Sequence, residues 1–378
     1  MAGIYVHIPF CKSRCIYCGF YSTTGLDLRQ PYVDAVVKEA GVRSQESGVS
    51  TVYFGGGTPS QLSIAQLRQL FDALYIYNKV EADAEVTIEC NPDDITPDFA
   101  EGLATLPVNR VSMGIQTFDD ERLRFIHRRH TAAQAAEAVS LLRQAGIRNI
   151  SIDLMYGFPG ETIHDWLSDI DAAIALHVEH ISAYCLMIEE GTPLYQMYHQ
   201  PSDISLTSNP SPLTTEELER EMYYTLIDRL EGAGYEHYEI SNFARPGRRS
   251  RHNSSYWTGI PYLGLGAAAH SFDGDTRSWN VSDIRRYIDG IRQGHRLFES
   301  EQLDGDTRYN DTVTVALRTR EGLDLSKLSD RHRRYCLGEA RRYLDYHLLA
   351  LSPDSTHLHL TRQGLFVSDM IMSDLMLL

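Results

Sequence analysis

The sequence has too little positive charge for a nucleic-acid partner. Its 378 residues hold 35 Lys and Arg against 51 Asp and Glu, a formal net charge of −16, whereas phosphate binding requires a basic surface. It lacks any uninterrupted apolar run near the roughly 18 residues that cross a bilayer, and its N-terminus has no basic and apolar leader. Together these absences predict a cytoplasmic chain. Cysteine is scarce, six in all, and unevenly placed. Cys11, Cys15 and Cys18 share one short loop, directly after an apolar run, Ile4 to Ile8, that reads as a strand. No fourth Cys or His follows at short range, as a structural zinc site would require; the nearest candidate, His7, lies inside the strand run. Three close thiolates suit an iron-sulfur cluster better. A four-iron cluster on three cysteines keeps one iron open to a small molecule.

Six β-rich runs alternate with helical segments: Ile4 to Ile8, Thr51 to Phe54, Glu85 to Glu89, Arg110 to Gly114, Ile150 to Leu154 and His180 to Cys185. Between them the expected helices are Tyr32 to Glu46, Ile64 to Tyr77, Pro97 to Thr105, Ala132 to Ala145 and Ile163 to Leu176. Ser63, Thr96, Thr131 and Thr162 stand as N-caps. Such alternation implies parallel strands with right-handed crossovers. Six units are too few for a closed eight-stranded barrel, so the expected fold is α/β, an open partial (β/α)6 barrel. Chemistry in such folds gathers at the C-terminal ends of the strands. Those ends carry Gly55-Gly56-Gly57-Thr58, Glu89-Cys90-Asn91, Gln116 and Asp153. The three glycines allow close backbone approach but lack the G-x-G-x-x-G spacing of a dinucleotide fold. Cys90, Cys185 and Cys336 read as small buried hydrophobes.

From Glu189 to about Pro212 the pattern loosens into a linker. A helix from Glu216 to Leu230 and a strand from Tyr235 to Ile240 follow. The next stretch, Asn242 to Trp257, ends in His252-Asn253-Ser254-Ser255-Tyr256-Trp257, with Arg245, Arg248, Arg249 and Arg251 beside it. A His next to large aromatics can ligate heme iron or can simply bond locally in a loop. The C-terminal part reads as helices, one from Tyr335 to Leu349, then a short hairpin around Pro353 to Ser355 and a final helix. The closing Met370 to Leu378 is amphipathic enough to face a core, a partner or a membrane surface.

The spacing Cys11-x-x-x-Cys15-x-x-Cys18 resembles the signature of radical S-adenosylmethionine (SAM) proteins. Tyr5, His7-Ile8-Pro9-Phe10 and Tyr17 make the chain similar to the branch that contains oxygen-independent coproporphyrinogen III oxidases and HemW heme chaperones. The resemblance implies a radical SAM barrel over residues 1–200, an α+β extension with a heme-binding motif over 201–305 and a winged-helix-like domain over 306–378. It implies a 4Fe-4S cluster on Cys11, Cys15 and Cys18. It implies S-adenosylmethionine held by Tyr5, Tyr17, Gly55, Gly56, Gly57, Thr58, Glu89, Gln116, Arg128 and Asp153. His252, Asn253, Tyr256 and Trp257 match the chaperones' His-Asn-x-x-Tyr-Trp heme motif; the neighbouring arginines read equally as partners for heme propionates or as a solvated basic loop. Two functions follow from the resemblance: heme delivery to acceptor proteins such as respiratory membrane enzymes, or oxidative decarboxylation of coproporphyrinogen III. The oxidase loop continues to a further cysteine where this chain has Phe20, and the oxidases have a segment before the first strand where this chain starts almost at once. Both features, with the heme motif, favour the chaperone. Dimerisation and peripheral membrane contact are implied by the family alone.

Overall fold

The protein is described here by a computed structural model covering residues 2–44, 48–199 and 212–377. The expected boundary between residues 200 and 201, part of the expected linker and the expected helix end at Glu46 lie outside the described residues.

Each expected strand run falls within one strand: β1 (Ala2–Ile8), β2 (Val49–Gly56), β3 (Val80–Cys90), β4 (Arg110–Gln116), β5 (Asn149–Tyr156) and β6 (His180–Cys185). Neighbours pair in parallel in that order. The helices between them are α1 (Arg29–Val42), α2 (Ile64–Tyr77), α3 (Pro97–Leu103), α4 (Asp120–Phe125), α5 (Ala132–Gln144) and α6 (Ile163–Ala175). All four cap residues act as such. Ser63, Thr96, Thr131 and Thr162 each accept a bond from the third helical N–H, an interaction of about 1 kcal/mol apiece.

Side chains alternate across these strands. One face carries Ile4, Val6, Ile8, Val52, Phe54, Val86, Ile88, Val111, Met113, Ile150, Ile152 and Ile181, all in the main apolar core. The opposite face carries Tyr5, Tyr53, Glu89, Arg110, Ser112, Asp153, Ser182 and Tyr184, which surround a common cavity. The barrel is thus dry outside its sheet, where helices pack, and polar within.

Beyond β6 come α7 (Pro193–His199), α8 (Glu216–Gly232), β7 (Glu236–Glu239), β8 (Asn242–Ala244), α9 (Arg251–Trp257), β9 (Tyr262–Leu265), β10 (His270–Phe272), β11 (Thr276–Asn280), α10 (Ile284–Arg292) and β12 (Phe298–Gln302). These strands widen the sheet at both edges, giving the order β12-β11-β10-β9-β1-β2-β3-β4-β5-β6-β8-β7. The chain therefore leaves the β6 edge at β8 and re-enters beside β1 at β9. Helix α9 makes that crossing. Glu39 on α1 fastens the β1 edge: its carboxylate, 2% exposed, accepts from Arg43, the Gly266 backbone, Asn280 and the Tyr287 hydroxyl.

The last elements are α11 (Gly305–Ala316), β13 (Leu323–Asp324), α12 (Asp330–Asp345), β14 (Leu349–Leu351), β15 (His357–Leu360), α13 (Arg362–Leu365) and α14 (Ser368–Leu375). They enclose a second apolar core and a three-stranded sheet ordered β13-β15-β14. The helix expected from Tyr335 to Leu349 starts earlier, because Ser329 caps it, and Leu349 already belongs to a strand. Ile371, Met372 and Leu375 of the closing segment are buried in this core.

Candidate functional site

The three loop cysteines follow β1 at the C-terminal mouth of the barrel. All are free and half-buried. The Cys18 amide bonds to the Cys15 carbonyl at 3.3 Å, closing a tight turn. Thr58 sets its hydroxyl 3.5 Å from Cys11 Sγ, and Arg128 Nη1 lies 3.8 Å from Cys15 Sγ. Burial pushes the Cys11 and Cys18 thiols up. Among the described residues no three His, Cys, Asp or Glu side chains converge on a point that could hold one metal ion. In a cubane cluster each thiolate takes a different iron and a fourth iron needs no protein ligand. The donor set of three thiols in one loop fits such a group.

Behind the loop, β4 ends in a distortion. Gln116 takes φ +72°, with a register shift against β5 between Gly114 and Gln116. A non-glycine residue in the left-handed region at a bulge is the kind of strain that collects at functional sites. Arg128 reaches the same place, donating to Asn91 Oδ1 at 2.8 Å and to the Gly114 carbonyl. Asn91 thus belongs to the site, although the sequence marks it only as part of a polar strand end.

The glycines at the end of β2 serve the protein's own packing first. A side chain on Gly57 would meet the Pro9 backbone at 2.8 Å, and one on Gly56, where φ is +108°, would meet the His7 ring at 2.4 Å. A Cβ on Gly55 would meet Glu89 Oε1 at 2.9 Å. This close approach aims Glu89 at the Gly56 N–H, 3.2 Å away, while the Tyr53 hydroxyl donates to its other oxygen at 2.7 Å. Burial is the main reason the Glu89 carboxyl is pushed up to about 7 and Asp153 to about 6. Tyr17, half-buried in the cysteine loop, also has its hydroxyl pKa raised, chiefly by burial.

Within the barrel lies a cavity of about 240 Å³ lined by Tyr5, Tyr53, Glu89, Arg110, Ser112, Asp153, Ser182, Tyr184, His252, Asn253 and Tyr256. It joins three expected cofactor residues, Tyr5, Glu89 and Asp153, to three of the expected heme residues. Gln116, Arg128, Thr58 and Tyr17 stand apart from its lining, nearer the mouth. Trp257 is also outside it, with its ring 5.9 Å from Tyr238.

The heme motif is not a loop. Its residues form α9, which crosses the floor of the barrel, and His252 is 1% exposed. The His252 amide bonds to Glu85 at 3.0 Å and Arg251 bonds the Asp83 carbonyl at 2.7 Å, both on β3. Both imidazole nitrogens are engaged, Nδ1 with the Thr51 hydroxyl at 2.8 Å and Nε2 with the Tyr256 hydroxyl at 2.9 Å. Burial first, and then the Arg110 charge, push its pKa down to about 3. In this conformation His252 is a neutral, fully bonded residue of the barrel floor. Two of the neighbouring arginines are likewise committed. Arg249 pairs with Glu321 at 2.7 Å, and Arg245 lies over the Tyr235 ring and bonds the Ala233 carbonyl. Arg248 is exposed.

A three-cysteine loop at the mouth of an open six-stranded parallel barrel defines a radical SAM protein, and the Radical SAM superfamily model matches residues 5–173. The solved structure titled coproporphyrinogen III oxidase (HemN) from Escherichia coli superimposes with a TM-score of 0.82, covering 99% of this chain and 90% of that one, at 24% identity. That likeness is one of fold. Heme chaperone HemW of Bacillus subtilis (strain 168) is 33% identical over 341 residues, 88% of each chain. Heme chaperone HemW of Mycobacterium tuberculosis (strain ATCC 25618 / H37Rv) is 34% identical over 390 residues, 99% of this chain and 94% of its own. The chain belongs to the HemW family of heme chaperones.

Proposed function

We propose that this protein is a heme chaperone: it binds heme, a 4Fe-4S cluster and S-adenosylmethionine, and passes heme to acceptor proteins, respiratory enzymes among them. The observation that carries this reading is the match to heme chaperones over 88% or more of both chains at about one-third identity. Phe20, 71% exposed where the oxidase loop continues to a cysteine, agrees with it. Cys11, Cys15 and Cys18 hold the cluster, which when bound supplies an open iron for the cofactor. Tyr5, Tyr17, Gly55, Gly56, Gly57, Thr58, Glu89, Gln116, Arg128 and Asp153 hold S-adenosylmethionine. Of these, Glu89 and Asp153 offer acceptors to an ammonium and to ribose hydroxyls, and Arg128 offers a guanidinium to a carboxylate. The division into units 1–200, 201–305 and 306–378, a cytoplasmic location, a homodimer and peripheral membrane contact belong to the same proposal. Among the described residues no helix is long and apolar enough to cross a membrane.

Heme binds at His252, Asn253, Tyr256 and Trp257 in a second state of α9. A cavity of about 240 Å³ is smaller than the roughly 300–1,000 Å³ of ordinary ligand pockets, so the macrocycle stays outside the lumen. His252 reaches iron only after Thr51 and Tyr256 release its ring. The test is heme titration of the anaerobically reconstituted protein with His252→Ala and Thr51→Val, and a coproporphyrinogen oxidase assay on the same samples. Stoichiometric heme binding that weakens in His252→Ala and strengthens in Thr51→Val, without protoporphyrinogen IX, is expected. Equal heme affinity in all three proteins would remove His252 from the site, and turnover of coproporphyrinogen would overturn the chaperone reading.

A further inference from the structure

Arg110 opens β4 and is 1% exposed, yet its Nε and Nη1 have no hydrogen-bond partner among the described residues. Thr87, its partner across the β3–β4 ladder and fully buried, has an unpartnered hydroxyl. The nearby imidazoles cannot serve as acceptors. His252 is bonded to Thr51 and Tyr256, and His180 to the Ser151 and Tyr238 hydroxyls at 2.8 and 2.7 Å. The Arg110 charge is partly offset by Asp153 and Glu89, whose pKa values it lowers, but a buried N–H left without an acceptor still costs about 1–3 kcal/mol. Arg110 lines the lumen cavity, so the acceptor it lacks has room to enter from outside the chain.

The lining narrows the chemistry of that acceptor. A guanidinium fork matches a planar carboxylate in a paired geometry. Glu89 and Asp153 stand on the same wall, where they repel a doubly charged anion such as phosphate but accept hydrogen bonds from a ligand's own donor. Ser112, Ser182 and Asn253 complete a polar surround. The volume of about 240 Å³ takes one small organic acid, or roughly eight waters at about 30 Å³ each. The position is also separate from the mouth. Arg110 precedes Gln116 by the length of β4, roughly 20 Å at about 3.3 Å per residue.

We propose that the barrel floor is a binding site for a small, singly charged carboxylic acid that carries a neighbouring hydroxyl or ammonium group, with its carboxylate on Arg110 and its donor toward Glu89 and Asp153. The site shares those two acids with the cofactor reading and rests on it to that extent, since Arg110 and Ser182 also act on Asp153; Arg110, Thr87 and Ser182 are themselves not among the residues assigned to the cofactor.

The test is titration of the reconstituted full-length protein, cluster oxidised, with [1-13C]glycolate, followed by carbon-13 line broadening. Saturable broadening is expected, reversed by unlabelled glycolate and not by equimolar phosphate, and weakened at least tenfold in Arg110→Gln. Ser182→Ala, which removes one hydroxyl and no charge, serves if Arg110→Gln fails to fold, and is expected to weaken glycolate several-fold with an unchanged circular dichroism spectrum. Absence of saturable binding in the unmodified protein would mean that water alone fills the floor and would overturn the proposal. So would glycolate affinity unchanged in both variants, or displacement by phosphate as effective as by glycolate itself.

Discussion

Replacing Glu89 with Gln is expected to stabilise the cofactor-free protein at pH 8 while it removes cofactor binding. Burial raises the carboxyl from its ordinary 4.5 to about 7 in the fold. Below pH 4.5 both folded and unfolded chains keep the proton, and the group is neutral to stability. Between 4.5 and 7 the unfolded chain releases it and the folded chain does not, so stability falls as pH rises; above 7 the loss is complete. At about 1.4 kcal/mol per pH unit across that window, the cost is about 3 kcal/mol. Gln carries no such cost. Its amide oxygen still accepts from Tyr53, but its amino group faces the Gly56 N–H, which forfeits one hydrogen bond of about 1 kcal/mol. The net expectation is a gain of about 2 kcal/mol at pH 8 and a loss of about 1 kcal/mol near pH 4.5. Urea midpoints of the two proteins from pH 5 to 8.5 read this directly, and S-adenosylmethionine affinity after reconstitution should drop tenfold or more. A variant that is less stable by the same amount at every pH would refute the reasoning, since it would mean that the fold already satisfies the charge.

Two further substitutions probe the framework around the site. Gly56→Ala places a methyl 2.4 Å from the His7 ring at a φ of +108°, and strain plus overpacking should cost about 2–4 kcal/mol; an unchanged thermal midpoint would contradict the packing role assigned to this glycine. Glu39→Ala strands Arg43, Asn280, Tyr287 and the Gly266 N–H at a cost of roughly 3–5 kcal/mol, and limited proteolysis should then cut first between residues 266 and 296; cleavage unaltered in rate and position would show that Glu39 does not fasten this edge.

The barrel was legible because its signals are local. Ser63, Thr96, Thr131 and Thr162 cap helices through neighbours three residues away, and apolar residues at every second position mark the strands. The same alternation carried the lumen. Thr51 and Tyr53, Thr87 and Glu89, Arg110 and Ser112, and Ser151 and Asp153 occupy the positions between the apolar ones, so a polar interior was written in period two across strands. Other features depend on contacts distant in sequence. The left-handed turn at Gln116 arises where β4 slips against β5, and no property of the glutamine announces it. Helix α4, six residues long, is too short for a periodicity to show. Asn91 joins the site only because Arg128 folds back onto it from a segment two helices later.

The position of His252 could not be read from its motif, since residue types say what a side chain can bond and not which side of a barrel it faces. Topology supplies that. With β8 beside β6 and β9 beside β1, the chain between them has to cross the open barrel, and the bonds from α9 to Thr51, Asp83 and Glu85 fix the crossing at the N-terminal ends of the strands. Tyr53 then stands between the two functional halves: its ring stacks 5.0 Å from that of His252, and its hydroxyl holds Glu89. The histidine of the heme motif and the carboxylate assigned to the cofactor are packed on one residue. Because both nitrogens of His252 are consumed in closing the floor, a closed lumen and iron ligation by His252 exclude each other. On the proposed heme role of His252, loading would have to open the chamber that Glu89, Asp153 and Arg110 line.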